Sequence, residues 1–199
     1  MENHSLNIRL IITAAGMSRR LPPNKLLEKR GEITALEKTV RSFLGFNLDM
    51  VVVIGFQAEK TRILLSKKFG EKIQVVLNNE YESGLASSLK AGLTAPAEKI
   101  DYYGFSLGDK PFIERKTIEY ILDHLNRNKP KILIPAYHGH NGHPAFFSRN
   151  FKKDLMLLKG NMGARQIIRN LSSQVTFLPV PDRGIILDLD LYNRESNGS

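Results

Sequence analysis

Between residues 14 and 25 the chain reads Ala-Ala-Gly-Met-Ser-Arg-Arg-Leu-Pro-Pro-Asn-Lys. Small residues at Ala14, Ala15, Gly16 and Ser18 let the backbone come close to a ligand, and successive N–H groups in such a turn can cradle phosphate oxygens. Arg19, Arg20 and Lys25 add fixed positive charge, and the arginine fork suits phosphate in particular. The stretch is neither G-x-x-x-x-G-K-[ST] nor G-x-G-x-x-G, so P-loop NTPases and dinucleotide dehydrogenases lose support. Taken alone, it reads equally well as a tight strand-to-helix turn followed by solvated basic residues.

Four other stretches carry chemistry. In "FSLGD" an apolar run ends on Asp109, which suits a magnesium ligand at a strand's carboxyl end. A helix-capping role fits poorly, because Pro111 follows at once and the helical period begins only near Lys116. In "NNEYESGLASSLKAGL", Gly84, Ser87 and Ser88 open a helix, where they would meet a ribose or base edge or serve as caps. "ILDLD" sets Asp188 and Asp190 on one face of a final short strand, either as a second acidic contribution to the metal site or as a solvated chain end. "HGHNGHP" holds His138, His140 and His143. Their spacing is not the i, i+4 of a helix and a glycine-rich loop fixes geometry badly, so one histidine meeting substrate is preferred to catalytic zinc.

The elements that must position these residues alternate. Strands are predicted over Ile8–Ala14, Met50–Ile54, Ile73–Leu77, Tyr102–Leu107 and Lys131–Pro135 from short apolar, β-branched runs. Helices are predicted between them over Thr34–Leu44, Ala58–Phe69, Leu85–Leu93 and Lys116–Arg127. A glycine-tipped excursion follows, with Pro144–Phe147 extended, then short helices near Asn150–Leu158 and Gly163–Asn170. Strand-like runs at Val175–Val180 and Ile185–Leu187 come last. This is an α/β pattern with a mostly parallel sheet covered on both faces, whose ligands bind beyond the carboxyl ends of the strands. One domain over residues 1–191 and a disordered tail over 192–199 are expected.

Composition narrows the partners. There is no cysteine, which removes disulfides, thiolate catalysis and Cys-ligated metals. The net charge of +9 asks for a polyanion. The charge is dispersed, and with no Trp and no basic aromatic ribbon a phosphate-rich small molecule is expected rather than nucleic acid. No run approaches a membrane span and the N-terminus lacks a signal-peptide core, so a cytoplasmic protein without a membrane partner is expected.

In order along the chain, these segments resemble the nucleotidyltransferase family that includes the molybdenum cofactor cytidylyltransferases. Its opening A-A-G-x-S-x-R-M-G-x-x-K is matched by Ala14, Ala15, Gly16, Ser18, Arg20 and Lys25. Its N-x-x-x-x-x-G-x-x-x-S-L is met by Asn79 or Asn78, then Gly84, Ser88 and Leu89. G-D-x-P is met by Gly108, Asp109 and Pro111, G-H-P by Gly142, His143 and Pro144, and G-x-x-G-A-R by Gly160, Gly163, Ala164 and Arg165. The closing D-I-D-T-P-E-D is met in part, by Asp188 and Asp190. Two departures stand out: R-M-G reads Arg20–Leu21–Pro22, and the chain stops soon after Asp190, as though the family's final helix were missing.

The resemblance implies a three-layer α/β/α Rossmann-like nucleotidyltransferase fold with a small hairpin excursion. It also implies Mg2+-dependent transfer of CMP from CTP to the phosphate of the molybdenum cofactor in its molybdopterin form, with pyrophosphate released. Arg20, Lys25 and Asp109 would be catalytic. Ala14, Ala15, Gly16, Ser18, Arg19, Asn79, Gly84 and Ser88 would bind the nucleotide, His143 and Arg165 would face the acceptor, and Asp109 with Asp190 would hold the metal. CTP is expected over GTP, because Ala15 stands where guanylyltransferase relatives carry glycine and its methyl would narrow the base site. The alternatives are a guanylyltransferase or sugar-phosphate nucleotidyltransferase and, in another class, a non-catalytic carrier delivering the cofactor to a molybdenum hydroxylase.

Overall fold

The computed structural model describes residues 5–16, 24–161 and 163–196. Its elements are β1 (Ile8–Ala14), β2 (Lys29–Arg30), β3 (Ile33–Thr34), α1 (Ala35–Phe43), β4 (Leu48–Ile54), α2 (Ala58–Phe69) and β5 (Gln74–Leu77). There follow α3 (Leu85–Thr94), β6 (Tyr102–Leu107), α4 (Arg115–Asn128), β7 (Ile132–Tyr137), β8 (His140–Asn141), β9 (Ala145–Ser148), α5 (Lys152–Leu157), α6 (Arg165–Asn170), β10 (Val175–Pro179) and α7 (Leu189–Ser196). The main sheet runs β10-β7-β9-β6-β1-β4-β5, with β8 paired to β7. β1 pairs in parallel with both β4 and β6, whereas β9 is antiparallel to β6 and β7.

Alternate residues of β1 feed two cores. Ile8, Leu10, Ile12 and Ala14 pack with α1, α2 and α4, while Ile11 packs with α3, α5 and α6 on the other face. This is the expected three-layer α/β/α arrangement, and the continuous apolar run follows because both faces of the strand are covered. α1 begins where its sequence allows it. The Thr34 hydroxyl accepts from the Glu37 N–H at 3.1 Å, and the Glu37 carboxylate accepts from the Thr34 N–H at 2.8 Å. That is the reciprocal cap encoded by Thr-x-x-Glu.

β1 contains one charge that its apolar pattern conceals. Arg9 is 1% exposed, and its guanidinium donates to Asp49 at 2.8 Å and to the carbonyls of Ala95 (2.5 Å) and Pro96 (2.7 Å). It thereby ties the C-terminal end of α3 to the sheet.

The end of the chain departs from expectation. Ile185–Leu187 is not a strand. The Asp182 carboxylate accepts from Gly184 N–H at 2.7 Å and from Glu114 N–H at 2.9 Å, which folds Arg183–Ile185 into a single 3-10 turn. Asp188 then accepts from Leu191 N–H at 2.8 Å and starts α7. A final helix is therefore present, reaching Ser196 where a tail was expected from 192. A Phe112–Tyr192 ring stack at 4.7 Å and the buried Leu189 hold it against the body.

Candidate active site

Strand order reverses beside β1, with β4 and β5 on one side and β6 on the other. In open α/β sheets ligands bind outside the carboxyl ends at such a reversal. Ala14–Gly16 leaves the end of β1 there and Gly108–Lys110 leaves the end of β6. The Gly108 N–H donates to the Thr13 carbonyl at 2.9 Å and binds the two ends together. A Cβ at Gly16 would meet nothing within 4 Å among the described residues. Ser18, Arg19, Arg20 and the Pro22–Pro23 departure lie outside the described residues.

Lys25 is carried back to these strand ends by its neighbours. Asn24 is buried and its side-chain oxygen accepts from Leu26 N–H at 3.2 Å, closing a local turn, while Leu26 anchors in the core. The Lys25 ammonium then reaches Asp109 Oδ2 and Asp190 Oδ2, both at 2.9 Å. Burial works against its charge, but Asp109 and then Asp190 outweigh that and hold its pKa above the ordinary lysine value. Residues 25, 109 and 190 thus converge from three distant parts of the chain.

The carboxylates divide their work differently from the strand reading. Because residues 189–196 are helical, Asp188 and Asp190 do not share a strand face. Asp188 caps α7, and its other oxygen lies 3.8 Å from the Lys110 ammonium. Asp190, in the first turn, turns toward Asp109. Among the described residues, Asp109 Oδ1 is buried without a hydrogen-bond partner. An orphaned carboxylate oxygen beside a second carboxylate fits a divalent cation that draws its remaining ligands from substrate phosphates, as magnesium commonly does. Consistent with that partial set, no three histidine, cysteine or acidic side chains converge as a metal cage among the described residues.

Several expected nucleotide ligands are engaged within the protein. Ala15 is 1% exposed and packs in the core with Tyr81, so its methyl does not face a base site and the steric case for CTP loses its footing. Gly84 has φ +111°, and a Cβ there would lie 2.6 Å from the Gly160 carbonyl carbon. Its smallness lets the Gly160–Asn161 turn dock on α3, whose Ala86 N–H donates to Gly160 O and Leu85 N–H to the Asn161 side chain. Ser88 is buried and accepts from the Asn78 amide at 3.0 Å, while Ser87 accepts from the same amide at 2.8 Å. Asn78 is the buried, organising asparagine; Asn79 is exposed.

The two residues expected to face the acceptor sit on different elements, His143 just before β9 and Arg165 at the start of α6. His143 precedes Pro144 through a cis peptide, and its N–H donates to the Ile185 carbonyl at 2.9 Å. Its Nδ1 lies 3.2 Å from the Phe105 carbonyl, which assigns the proton to Nδ1 and leaves Nε2 as an acceptor. Burial, then the charge of Lys110, lowers its pKa to about 4. His138 and His140 sit exposed on the hairpin and do not join it. Arg165 opens α6 in an exposed position, and its charge reaches both His143 and Lys110.

Lys110 is the functional candidate that sequence reading missed. It is 5% exposed, its ammonium donates to the Ile186 carbonyl at 2.5 Å, and burial lowers its pKa. Its neighbours Asp109 and Pro111 in G-D-x-P carry no local sign of a buried charge; the burial comes from residues 186 and 188.

Residues 10–175 match the family described as "MobA-like NTP transferase domain". Molybdenum cofactor cytidylyltransferase of Escherichia coli (strain K12) is 25% identical over 185 residues, spanning 92% of this chain and 91% of that protein. Nicotine blue oxidoreductase of Paenarthrobacter nicotinovorans is 24% identical over 190 residues, 90% of each chain. Among solved structures, Rv0371c of Mycobacterium tuberculosis H37Rv superposes with a TM-score of 0.80 at 26% identity over 97% of both chains, and it has also been solved in complex with manganese. The family match takes in both strand ends, Lys25, Asp109 and the His143 hairpin. This chain belongs to the MobA-like NTP transferase family.

Proposed function

We propose that this nucleotidyltransferase moves CMP from CTP to the phosphate of the molybdopterin form of the molybdenum cofactor and releases pyrophosphate. The observation that carries the reading is the meeting of Lys25, Asp109 and Asp190 at the β1/β6 strand ends, with Asp109 Oδ1 left without a hydrogen-bond partner among the described residues. In the reaction an acceptor phosphate oxygen bonds to the α-phosphorus, and the bond from that phosphorus to the oxygen bridging the β-phosphate breaks. That oxygen leaves with the electron pair on pyrophosphate. Bringing anions together in this way requires positioning and charge neutralisation and no covalent nucleophile.

Asp109 and Asp190 would hold Mg2+, which supplies Lewis-acid charge to the phosphate oxygens. Lys25 passes from the carboxylates to the β- and γ-phosphates and steadies the leaving group, with Arg20 and Arg19, which follow β1 in sequence, adding charge. The backbone of Ala14–Gly16 cradles phosphate oxygens. His143, neutral near pH 7, offers Nε2 to a donor on the acceptor, and Arg165 offers charge to an acceptor anion. CTP and the molybdenum cofactor are favoured by the whole-length similarity to the cytidylyltransferase.

The test is a pyrophosphate-release screen of CTP, GTP, ATP and UTP with Mg2+ against phosphorylated acceptors, molybdopterin included. Release with CTP and molybdopterin is expected. Release only with GTP, or only with a sugar phosphate, replaces the substrate assignment. No release from folded protein with any pair overturns the transferase reading, in favour of a carrier or of the redox chemistry in the oxidoreductase relative's name.

A further inference from the structure

Lys110 is a buried ammonium whose partners do not account for it. An ammonium has three N–H donors. One is spent on the Ile186 carbonyl at 2.5 Å. The nearest carboxylate oxygen, Asp188 Oδ2, lies 3.8 Å away, beyond hydrogen-bonding distance, and the other Asp188 oxygen is occupied by Leu191 N–H. Among the described residues, two of its donors are left without a hydrogen-bonded acceptor, and its charge is met by the looser ion pair with Asp188 and the more distant field of Asp109. A clamp on the Arg183–Ile186 turn needs one neutral donor, and a charge brought out of water for that purpose alone is costly.

The surroundings of Lys110 indicate which ligand would use that charge. Lys110 follows Asp109 directly and is acted on by the charge of that carboxylate, which is proposed to hold the metal. Its field is shared with His143, Arg165, Lys25, Asp109 and Asp188. The charges of Lys110 and Arg165 both act on His143, a neutral imidazole acceptor, and that combination suits an oxyanion with several oxygens and one ionisable hydroxyl.

We propose that Lys110, with Arg165, binds the phosphate monoester of the acceptor. The inference rests on the transferase reading and deepens it: the chain carries its own fixed cation for the attacking phosphate, separate from Lys25 on the nucleotide side. Lys110 thereby selects phosphorylated acceptors over hydroxyl or carboxylate acceptors. His143 receives a hydrogen bond from the phosphate hydroxyl or from the acceptor's own N–H groups.

The test titrates the full-length protein with inorganic phosphate, and with acetate as control, by calorimetry without nucleotide. Wild type, Lys110→Gln and Lys25→Ala are compared, with thermal melts confirming folding. Glutamine keeps a neutral donor for the Ile186 carbonyl and removes only the charge. Lys110→Gln is expected to weaken phosphate binding about tenfold or more, while Lys25→Ala leaves a phosphate site in place. Undiminished phosphate affinity and stoichiometry in Lys110→Gln overturns the proposal, as does the absence of saturable phosphate binding by the wild type or tighter binding of acetate. Should Lys110→Gln not fold, NMR of the wild-type Lys110 Nζ resonance decides: a shift on adding phosphate supports the site and no shift overturns it. Phosphate held through Lys110 by a protein that releases no pyrophosphate with any acceptor would sink the transferase reading and leave this anion site standing.

Discussion

At the scale of single residues, Lys25 occupies the carboxylate oxygens that a metal would need. Its replacement should therefore act in opposite senses on two ligands. Lys25→Ala is expected to bind Mn2+ several-fold more tightly in the absence of nucleotide, measured by electron paramagnetic resonance. Its affinity for CTP should fall about tenfold or more while CMP is little affected, because the β- and γ-phosphates are what the ammonium would hold. Parallel losses for CTP and CMP would remove Lys25 from the triphosphate site. Asp109→Asn leaves the fold intact and should lower turnover about a thousandfold, read by pyrophosphate release alongside circular dichroism. His143 makes a pH prediction. Its folded pKa of about 4 lies below the unfolded value near 6.5, so between these pH values the unfolded chain binds the extra proton. Its contribution, up to about 3 kcal/mol, is complete above roughly pH 6.5 and is lost as the pH falls toward 4. His143→Gln should flatten the acid limb of the melting-temperature profile, and an unchanged limb would refute the assignment.

At the scale of elements, three anchorings hold the site's walls. Arg9 sits inside β1 with Asp49 and the carbonyls that end α3. Removing one partner leaves Asp49 and those carbonyls uncompensated, so Arg9→Ala should cost about 3–5 kcal/mol in urea unfolding. Gly84 allows the Gly160–Asn161 turn to press on the start of α3. Gly84→Ala combines a positive φ with a contact no Cβ tolerates, and about 2 kcal/mol or more of destabilisation is expected. If the Gly160 turn is released, Arg165 moves with it, and acceptor affinity should fall more than nucleotide affinity. α7 is the third such element. Its anchoring through Leu189 N–H to the Asp109 carbonyl, at 3.3 Å, places Asp190 beside Lys25.

At the scale of the whole molecule, the net charge of +9 and the topological reversal at β1 would serve the same anionic ligand under the proposed function. A basic protein concentrates anions around it, and that advantage is screened by salt. The association rate of CTP should fall roughly tenfold between about 0.01 M and 0.2 M ionic strength, in stopped-flow measurements. A salt-independent rate would mean that only the local site attracts the nucleotide. No helix is long and apolar enough to cross a membrane among the described residues.

The sequence by itself determined the alternation of strands and helices, and with it the three layers. Ile8–Ala14, Ala58–Phe69 and Tyr102–Leu107 form over the residues their patterns indicate, because continuous apolar runs and 3.6-residue periods are local signals of burial. The place of Asp109 was legible for the same reason: an acid directly after a buried apolar run stands at a strand's carboxyl end. Tertiary structure decided what depends on distant partners. Asp188 and Asp190 look alike in "ILDLD", and only a turn pinned by Asp182 on Glu114 makes one a cap and brings the other to Lys25. Ala15 and Ser88 match a motif, yet Tyr81 and Asn78 claim them. Lys110 escaped notice because burial of a charge is not written in its neighbours along the chain. It is set by the close approach of residues 186 and 188, some eighty positions away, and long-range approach is what a local pattern cannot encode.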